Sequence, residues 1–299
     1  MDRLHLIKVF VAVVDSQGFA AAARKLKIAP SAVTRAINDL EKHLGTRLLS
    51  RTTRVVRVTE AGERYAADCR RIQSELAEAD ESVIGMHAVP RGRLSITAPV
   101  LFGAKLVTPI VIEYLHRYPQ VSAACWFLDR IVNMMDEGVD VAIRIGELPD
   151  SSLQAIKVGQ VRRMVCAAPS YLVQHGIPKR PADLHAHCIV AAVGVTPLLE
   201  WRFLTSGAAT PVKLQARLTT TSNDSAVAAA VAGFGVTRLL SYQIEQQLRD
   251  GTLTALLSEF ESKPLPVHVV HREGRHASSK ARAFVDLAVQ TLRTHPVLA

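Results

Sequence analysis

Residues 18–57 read GFAAAARKLKIAPSAVTRAINDLEKHLGTRLLSRTTRVVR, and this stretch decides how the rest of the chain is understood. Phe19, Ala22, Ala23 and Leu26 share one stripe of a short helix whose other side carries Arg24 and Lys25. After the turn Lys27-Ile28-Ala29, Pro30 stands where a first helical residue belongs, because its fixed φ suits a helix start and its missing N–H costs nothing there. In the second helix, over 30–43, Val33, Ile37, Leu40 and Leu44 are spaced 4, 3 and 4 apart. Ser31, Thr34, Arg35 and Asn38 therefore fall on the open face. Short hydroxyls and an arginine near a helix N-terminus suit a DNA major groove, where arginine forks onto guanine O6 and N7. Gly45 ends the helix. A hairpin over 48–59 then carries Arg51, Arg54 and Arg57 at every third residue, positioned as a wing that meets phosphates or a minor groove.

Working outward, residues 3–14 place Leu6, Val9, Phe10, Val13 and Val14 on the inner face of a helix that closes the small N-terminal core. From Thr59, a candidate N-cap, a long helix is predicted, with Gly62 a weak point in its first turn. Cys69, Leu76 and Val83 recur every seven residues, and Tyr65, Ile72, Ala79 and Met86 recur at the offset of the other seam position. This narrow stripe predicts pairing with a second copy, although a helix lying on its own domain could produce part of the pattern. His87-Ala88-Val89-Pro90-Arg91-Gly92 marks a hinge.

Charge supports the division. Residues 1–59 hold 11 basic and 4 acidic side chains (+7), residues 60–87 hold 3 and 7 (−4), and residues 88–299 hold 22 and 16 (+6). Positive charge is densest on the motif, which fits phosphate contact and salt-sensitive affinity.

Beyond the hinge the pattern alternates strands with helices. Strands are predicted over 94–98, 121–128 and 139–145, with helices over 102–118 and 131–137 between them. A second set begins near Val161: strands over 164–168, 188–192, 201–204, 212–219 and 236–239, helices over 170–175, 224–232 and 241–249. The strand 267–271 and the helix 277–292 then return to the first set. This is the rhythm of two mostly parallel α/β lobes joined by crossing strands, resembling a periplasmic-binding-protein fold. Ligands in such sheets sit at the strand C-termini. That rule selects Pro99 to Phe102, Leu128 to Arg130, and Arg144, Ile145 and Gly146. Backbone N–H groups after Pro99 could hold an anion with Arg144 as counter-charge, although Arg144 could equally pair with Glu147 or Asp140.

The pattern FxAAARxLxIxxSAVxRAIxxLExxLGxxLLxRTTRxVxxTEAG resembles the winged helix-turn-helix of the LysR-type transcriptional regulators. The resemblance continues through RLSITAPVLFG, EGVDVAIRIGELPDSSLQA, PSYLVQHGIPKRPADLHAHC, WRF, AGFGVTRLLSYQI and RAFVDLAVQTL, so it spans essentially the whole chain. It implies a DNA-binding domain over 1–59, a dimerisation helix over 60–87, and an effector domain over 88–299 with lobes at about 90–160 plus 267–299 and at 161–266. It carries DNA contact to Ser31, Thr34 and Arg35 on the helix and to Arg51, Thr52 and Arg54 on the wing, with Asn38 beside them. Where members usually carry Ser and then Gln or Pro at the recognition-helix start, this chain has Ala29 and Pro30, so Pro30 offers only apolar contact. Gly18-Phe19-Ala20 replaces the usual Ser-Phe-Thr. Members also place a Ser or Thr after the first lobe strand for an effector carboxylate; here Pro99, Val100 and Leu101 offer no hydroxyl and Thr97 is the nearest. A less polar effector, lined by Phe102, Leu128, Ile145 and Phe203, is therefore expected. The resemblance further implies operator DNA as partner, a homodimer assembling to a homotetramer, and an effector that shifts lobe geometry.

Other chemistries find little support. Cys69, Cys125, Cys166 and Cys188 match no ligand spacing and read as reduced core residues. The groups His185, His187, Cys188 and His268, His271, His276 lack a second ligand pair at tetrahedral spacing, so no metal or cofactor is expected. No nucleophile elbow, phosphate loop or dinucleotide fingerprint appears, which disfavours an enzyme. The N-terminus is amphipathic rather than a signal peptide, and no apolar run nears the ~18 residues a membrane span needs. A transport protein would need export, so a cytoplasmic, nucleoid-associated regulator is the expectation.

Overall fold

The computed structural model describes residues 2–51, 56–84, 89–151, 153–192, 199–205, 207–272 and 278–298, and it divides into two compact units, 1–85 and 86–299. Thr52 and Arg54 on the predicted wing, and Met86 on the predicted seam, lie outside the described residues.

In the first unit, α1 (Arg3–Asp15) begins at Asp2, whose carboxylate accepts the Leu4 N–H at 3.1 Å. Helices α2 (Phe19–Leu26) and α3 (Pro30–Leu44) follow. Ala29 caps α3 without a side-chain bond, and Gly45 closes it in the left-handed region at φ 65°. Leu6, Val9, Phe10 and Val13 of α1 bury Ala22 and Ala23 of α2 and Val33, Ala36, Ile37 and Leu40 of α3 in one core. The wing pairs β1 (Leu49–Arg51) antiparallel with β2 (Val56–Val58). One side chain fixes where it starts: Glu41 Oε1 on α3 accepts both the Leu48 N–H at 2.8 Å and the Leu49 N–H at 2.9 Å.

The long helix α4 (Glu60–Ile84) is capped by Thr59, whose Oγ1 accepts the Gly62 N–H at 3.0 Å. Gly62 is a requirement rather than a weak point. A Cβ there would lie 2.1 Å from the Leu48 carbonyl oxygen and 2.8 Å from a Val58 methyl, so only glycine lets the wing backbone pass.

The second unit holds two five-stranded sheets. The first, in order β4-β3-β5-β14-β6, uses β3 (Gly92–Ala98), β4 (Val121–Phe127), β5 (Val141–Ile145), β6 (Leu153–Val161) and β14 (Leu265–Arg272). The second, in order β11-β8-β12-β7-β13, uses β7 (Arg163–Ala167), β8 (Ile189–Ala192), β11 (Ala216–Thr220), β12 (Val236–Leu240) and β13 (Thr254–Leu256). In each sheet four strands run one way and a single strand runs against them, β14 in the first and β7 in the second, so both sheets are mostly parallel, as expected. The late return of β14 beside β5 is present as expected, and α10 (Ser279–Arg293) packs Phe284, Val285, Leu287 and Leu292 into the first-sheet core.

Other expectations change. Residues 131–137 form turns instead of a helix, because Asn133 Oδ1 accepts the Met135 N–H at 3.1 Å and Glu137 Oε1 accepts the Asn133 N–H at 3.3 Å; side chains capture the donors a helix would use. The single strand expected over 212–219 is the end of β10 (Ala208–Lys213), paired with β9 (Glu200–Thr205) in a separate hairpin, followed by β11. Strand β6 carries no clear strand periodicity in the sequence, since its pairing with β14 shifts register between Val267 and His268 and its burial does not alternate with period 2. The helix expected from residue 102 starts earlier, as α5 (Val100–Phe102), one π-helical segment over Gly103–Val107, and α6 (Thr108–Arg117).

Replacing Gly62 with alanine should lower the unfolding midpoint of the first unit, at a cost of about 2 kcal/mol or more from the backbone shift it forces. Circular dichroism melts of Gly62→Ala against the parent check this; an unchanged melt contradicts the close approach.

Candidate nucleic-acid interface and ligand cleft

On α3, Val33, Ala36, Ile37 and Leu40 are fully buried, which turns Pro30, Ser31, Arg35 and Asn38 outward as exposed side chains. Thr34 is half-buried, and its hydroxyl donates to the Pro30 carbonyl at 3.2 Å. Its hydroxyl hydrogen is thus spent on its own helix, leaving lone pairs and a methyl outward. Arg24, Lys25, Lys27, Lys42, Arg47 and Arg57 of the same unit are exposed as well. Arg51 sits on the wing strand β1. The unit suits a polyanion: a helix with a buried back presents short polar groups, and the same unit exposes many cations.

The predicted dimer seam requires correction. Cys69 is fully buried with Ala66 in the first unit's own core, and the Tyr65 ring lies 5.7 Å from Phe10 of α1. Arg70 adds an ion pair to Asp15 at 2.6 Å. The first two turns of the stripe are thus satisfied by α1, not by a partner. Burial raises the pKa of both Tyr65 and Cys69. Further along, Ile72 is half-buried and Leu76 is 44% exposed, and the side chains of Ala79 and Val83 lie outside the described residues.

The predicted effector residues do not converge either. Thr97 is fully buried and donates its hydroxyl to the Trp126 carbonyl at 2.8 Å. Phe102 is fully buried, edge-on to Tyr242 at 5.2 Å, and Phe203 is buried in the core of the second sheet. Ile145 packs on the first core, and Leu128 on a satellite cluster with Val132 and Met134. These apolar groups are core rather than a shared lining, so they offer a less polar effector no common surface. Arg144 is half-buried and donates to the Val132 carbonyl at 2.7 Å, pairing with neither Glu147 nor Asp140; burial lowers its pKa, opposed by Glu137. The Gly146 N–H donates to the Pro266 carbonyl at 2.8 Å.

What occupies the predicted anion position is a residue of the chain itself. Pro99, half-buried, precedes α5, and the Val100 N–H donates to Asp129 Oδ1 at 3.0 Å. The other oxygen of Asp129 accepts from Asn223 Nδ2 at 3.3 Å, and Asn223 opens α8 (Asn223–Val231) on the second sheet. Lys105 Nζ likewise reaches across to the Gln243 carbonyl at 3.1 Å, at the start of α9 (Ser241–Arg249). Asp129 therefore caps a first-lobe helix and ties it to the second lobe. The sequence placed Asp129 at a strand end, but a cap supplied from 29 residues away leaves no local signature.

The second sheet carries its own charge feature. Arg238 lies over the Trp201 ring at 5.2 Å and the Phe203 ring at 5.9 Å, and donates to the Arg202 carbonyl at 3.2 Å. Burial and the neighbouring Arg163 push its pKa down to about 10. Elsewhere, burial lifts the Cys166 thiol to about 12, which removes it as a nucleophile at neutral pH. Among the described residues no group of His, Cys, Asp and Glu is arranged to hold a metal ion, and no helix is long and apolar enough to cross a membrane.

A winged helix-turn-helix joined to a two-lobed α/β unit defines a ligand-responsive DNA-binding protein. Residues 4–63 match the bacterial regulatory helix-turn-helix domain of the lysR family and residues 87–293 match the LysR substrate binding domain, so the chain belongs to the LysR family of transcriptional regulators. It is a DNA-binding regulator with an effector-binding domain, not an enzyme. It is 32% identical over 287 residues to the transcriptional regulator CrgA of Neisseria meningitidis, covering 96% of each chain, and 32% identical over 287 residues to the transcriptional activator AaeR of Escherichia coli, covering 96% of this chain and 93% of that one. The structure of CrgA superposes with a TM-score of 0.62 at 31% identity, covering 96% of this chain and 98% of that one. Full-length AphB, a virulence activator of Vibrio cholerae, superposes with a TM-score of 0.61 at 28% identity, covering 97% and 99%.

Removing the Asp129 carboxylate should cost the second unit about 1 kcal/mol, the usual worth of a helix cap. Asp129→Ala is expected to lower the melting midpoint of that unit and to raise proteolysis at the lobe junction; identical melting and digestion would show that the bridge carries no energy.

Proposed function

We propose that α3 enters the major groove of operator DNA and that Ser31, Arg35 and Asn38, with Pro30 and Thr34 beside them, meet base edges there. Arg51, Thr52 and Arg54 of the wing contact flanking phosphates. The observation that carries this reading is the outward row on a helix whose back is wholly buried, since only a helix of fixed rotation can hold a side chain in register with a base. The protein works at the nucleoid, in the cytoplasm.

A symmetric pair of such helices would read two half-sites, so a homodimer, assembling to a homotetramer, is the working state. Support comes from apolar groups left open. Leu76 is 44% exposed on α4, Trp126 is 53% exposed on the edge strand β4, and Ile112 is 51% exposed on α6. An open edge strand beside exposed large side chains is what pairing with another copy covers. In this arrangement Ile72, Leu76, Ala79 and Val83 form the partner-facing part of α4, with Tyr65 and Cys69 supporting it from within their own unit. A small-molecule effector that binds one lobe arrangement better than another shifts the geometry of the pair and thereby its grip on DNA.

Arg35→Ala is expected to weaken binding to the protein's own upstream intergenic DNA by about ten- to a hundredfold, a bidentate base contact being worth ~1–3 kcal/mol. In gel-shift titrations at fixed salt, Lys42→Ala should lose less and mainly flatten the salt slope. A protein that stays monomeric and prefers no fragment at low ionic strength contradicts the reading.

A further inference from the structure

Arg163 and Arg238 stand on neighbouring antiparallel strands, with Arg163 opposite Leu240 and Arg238 opposite Val165. Both therefore point to the same sheet face as diagonal neighbours, with Cα atoms about 7–8 Å apart. Arg163 directly follows the crossing between lobes, where the Arg162 N–H donates to Ser241 Oγ at 3.1 Å and the Ser241 N–H to the Arg162 carbonyl at 2.8 Å. Both side chains are partly open to solvent.

The neighbouring carboxylates are taken by other arginines. Glu261 pairs with Arg162 at 3.2 Å and Glu200 with Arg202 at 3.1 Å. Among the described residues no carboxylate lies within ion-pair distance of Arg163 or Arg238, and the one acceptor either finds is the Arg202 carbonyl, on Arg238. Two guanidinium groups side by side in a half-buried setting repel each other and lose hydration, which an anion between them reverses. The Trp201 and Phe203 rings and the Arg202 carbonyl restrain the Arg238 guanidinium, so its position is preset before a ligand arrives.

We propose that Arg163 and Arg238 form an oxyanion-binding site on the second lobe, beside the lobe crossing, that takes the carboxylate or phosphate group of a small molecule. The helix start after Pro99, the other place where backbone donors gather, is filled by Asp129, which repels a second anion. An anion held where the strands cross between lobes is placed to bias their arrangement; this regulatory meaning rests on the regulator reading, whereas the binding itself does not.

The test titrates the full chain with sodium benzoate and, separately, with inorganic phosphate, by calorimetry in a low-salt zwitterionic buffer. Saturable binding of at least one is expected: benzoate alone assigns an organic carboxylate, phosphate alone a phosphate ester. Arg163→Gln combined with Arg238→Gln should weaken it about thirtyfold or more, while Arg162→Gln, one residue away, leaves it unchanged. No saturable binding of either anion, or equal binding by the double variant, overturns the proposal. A measurement that needs no ligand guards against misfolding of the double variant: in anion-free buffer Arg163→Gln should raise the melting midpoint by relieving like-charge repulsion, and a fall overturns the claim that Arg163 lacks a partner. Gel shifts of the same variants without added anion should match the parent, and failure of DNA binding in the parent itself would sink the regulator reading while leaving the anion titrations to stand or fall alone.

Discussion

Complete burial of Val33, Ala36, Ile37 and Leu40 is the constraint on which the rest of the molecule depends. A helix can read a base sequence only if its rotation about its own axis is fixed, because turning it by one residue moves every side chain by about 100°. Here the apolar back of α3 fixes that angle against α1 and α2, and Glu41 extends the same rigidity to the wing by holding two successive backbone N–H groups. Gly62 completes the arrangement by letting the wing lie against the first turn of α4. Wing, recognition helix and linker helix are thus parts of one packed body, and the side chains on its outer face inherit their positions from it.

Much of this was legible in the sequence because the signals are local. The 4,3,4 spacing on α3, Pro30 at its start, Gly45 at its end and Thr59 as the cap of α4 each act within a turn or two of the residue that carries them. What could not be read depends on contacts distant along the chain. The heptad on α4 resembled a dimer seam, but its first half is a response to α1, since Tyr65 and Cys69 meet a helix some 55 residues earlier in the sequence, as the Arg70 to Asp15 pair also shows. A stripe at 3.5-residue spacing records that something apolar lies alongside, and does not say whose it is.

The lobes repeat this lesson. Strand-end rules point to the loops after β3, β4 and β5, yet Thr97 and Phe102 turn inward, since a strand or helix end leaves the parity of each side chain to packing behind it. Asp129 is legible as a strand-end residue but not as a cap, because its partners, Val100 and Asn223, lie far from it in sequence. Charge in the second unit is likewise arranged rather than merely counted: acids neutralise Arg162 and Arg202, while Arg163 and Arg238, which have no acid beside them among the described residues, share one sheet face. Composition alone would have described the same residues as a mildly basic domain.

The return of β14 to the first sheet makes the second lobe an insertion between two segments of the first. During synthesis β3, β4 and β5 emerge early, but β6 has its sheet partner in β14, about a hundred residues later. All five strands of the second sheet lie within Arg163–Leu256, so that lobe is contiguous and can mature while the first still has an open edge. The lobe translated first is therefore the last to close, and until β14 emerges its β5 edge is left open to other strands.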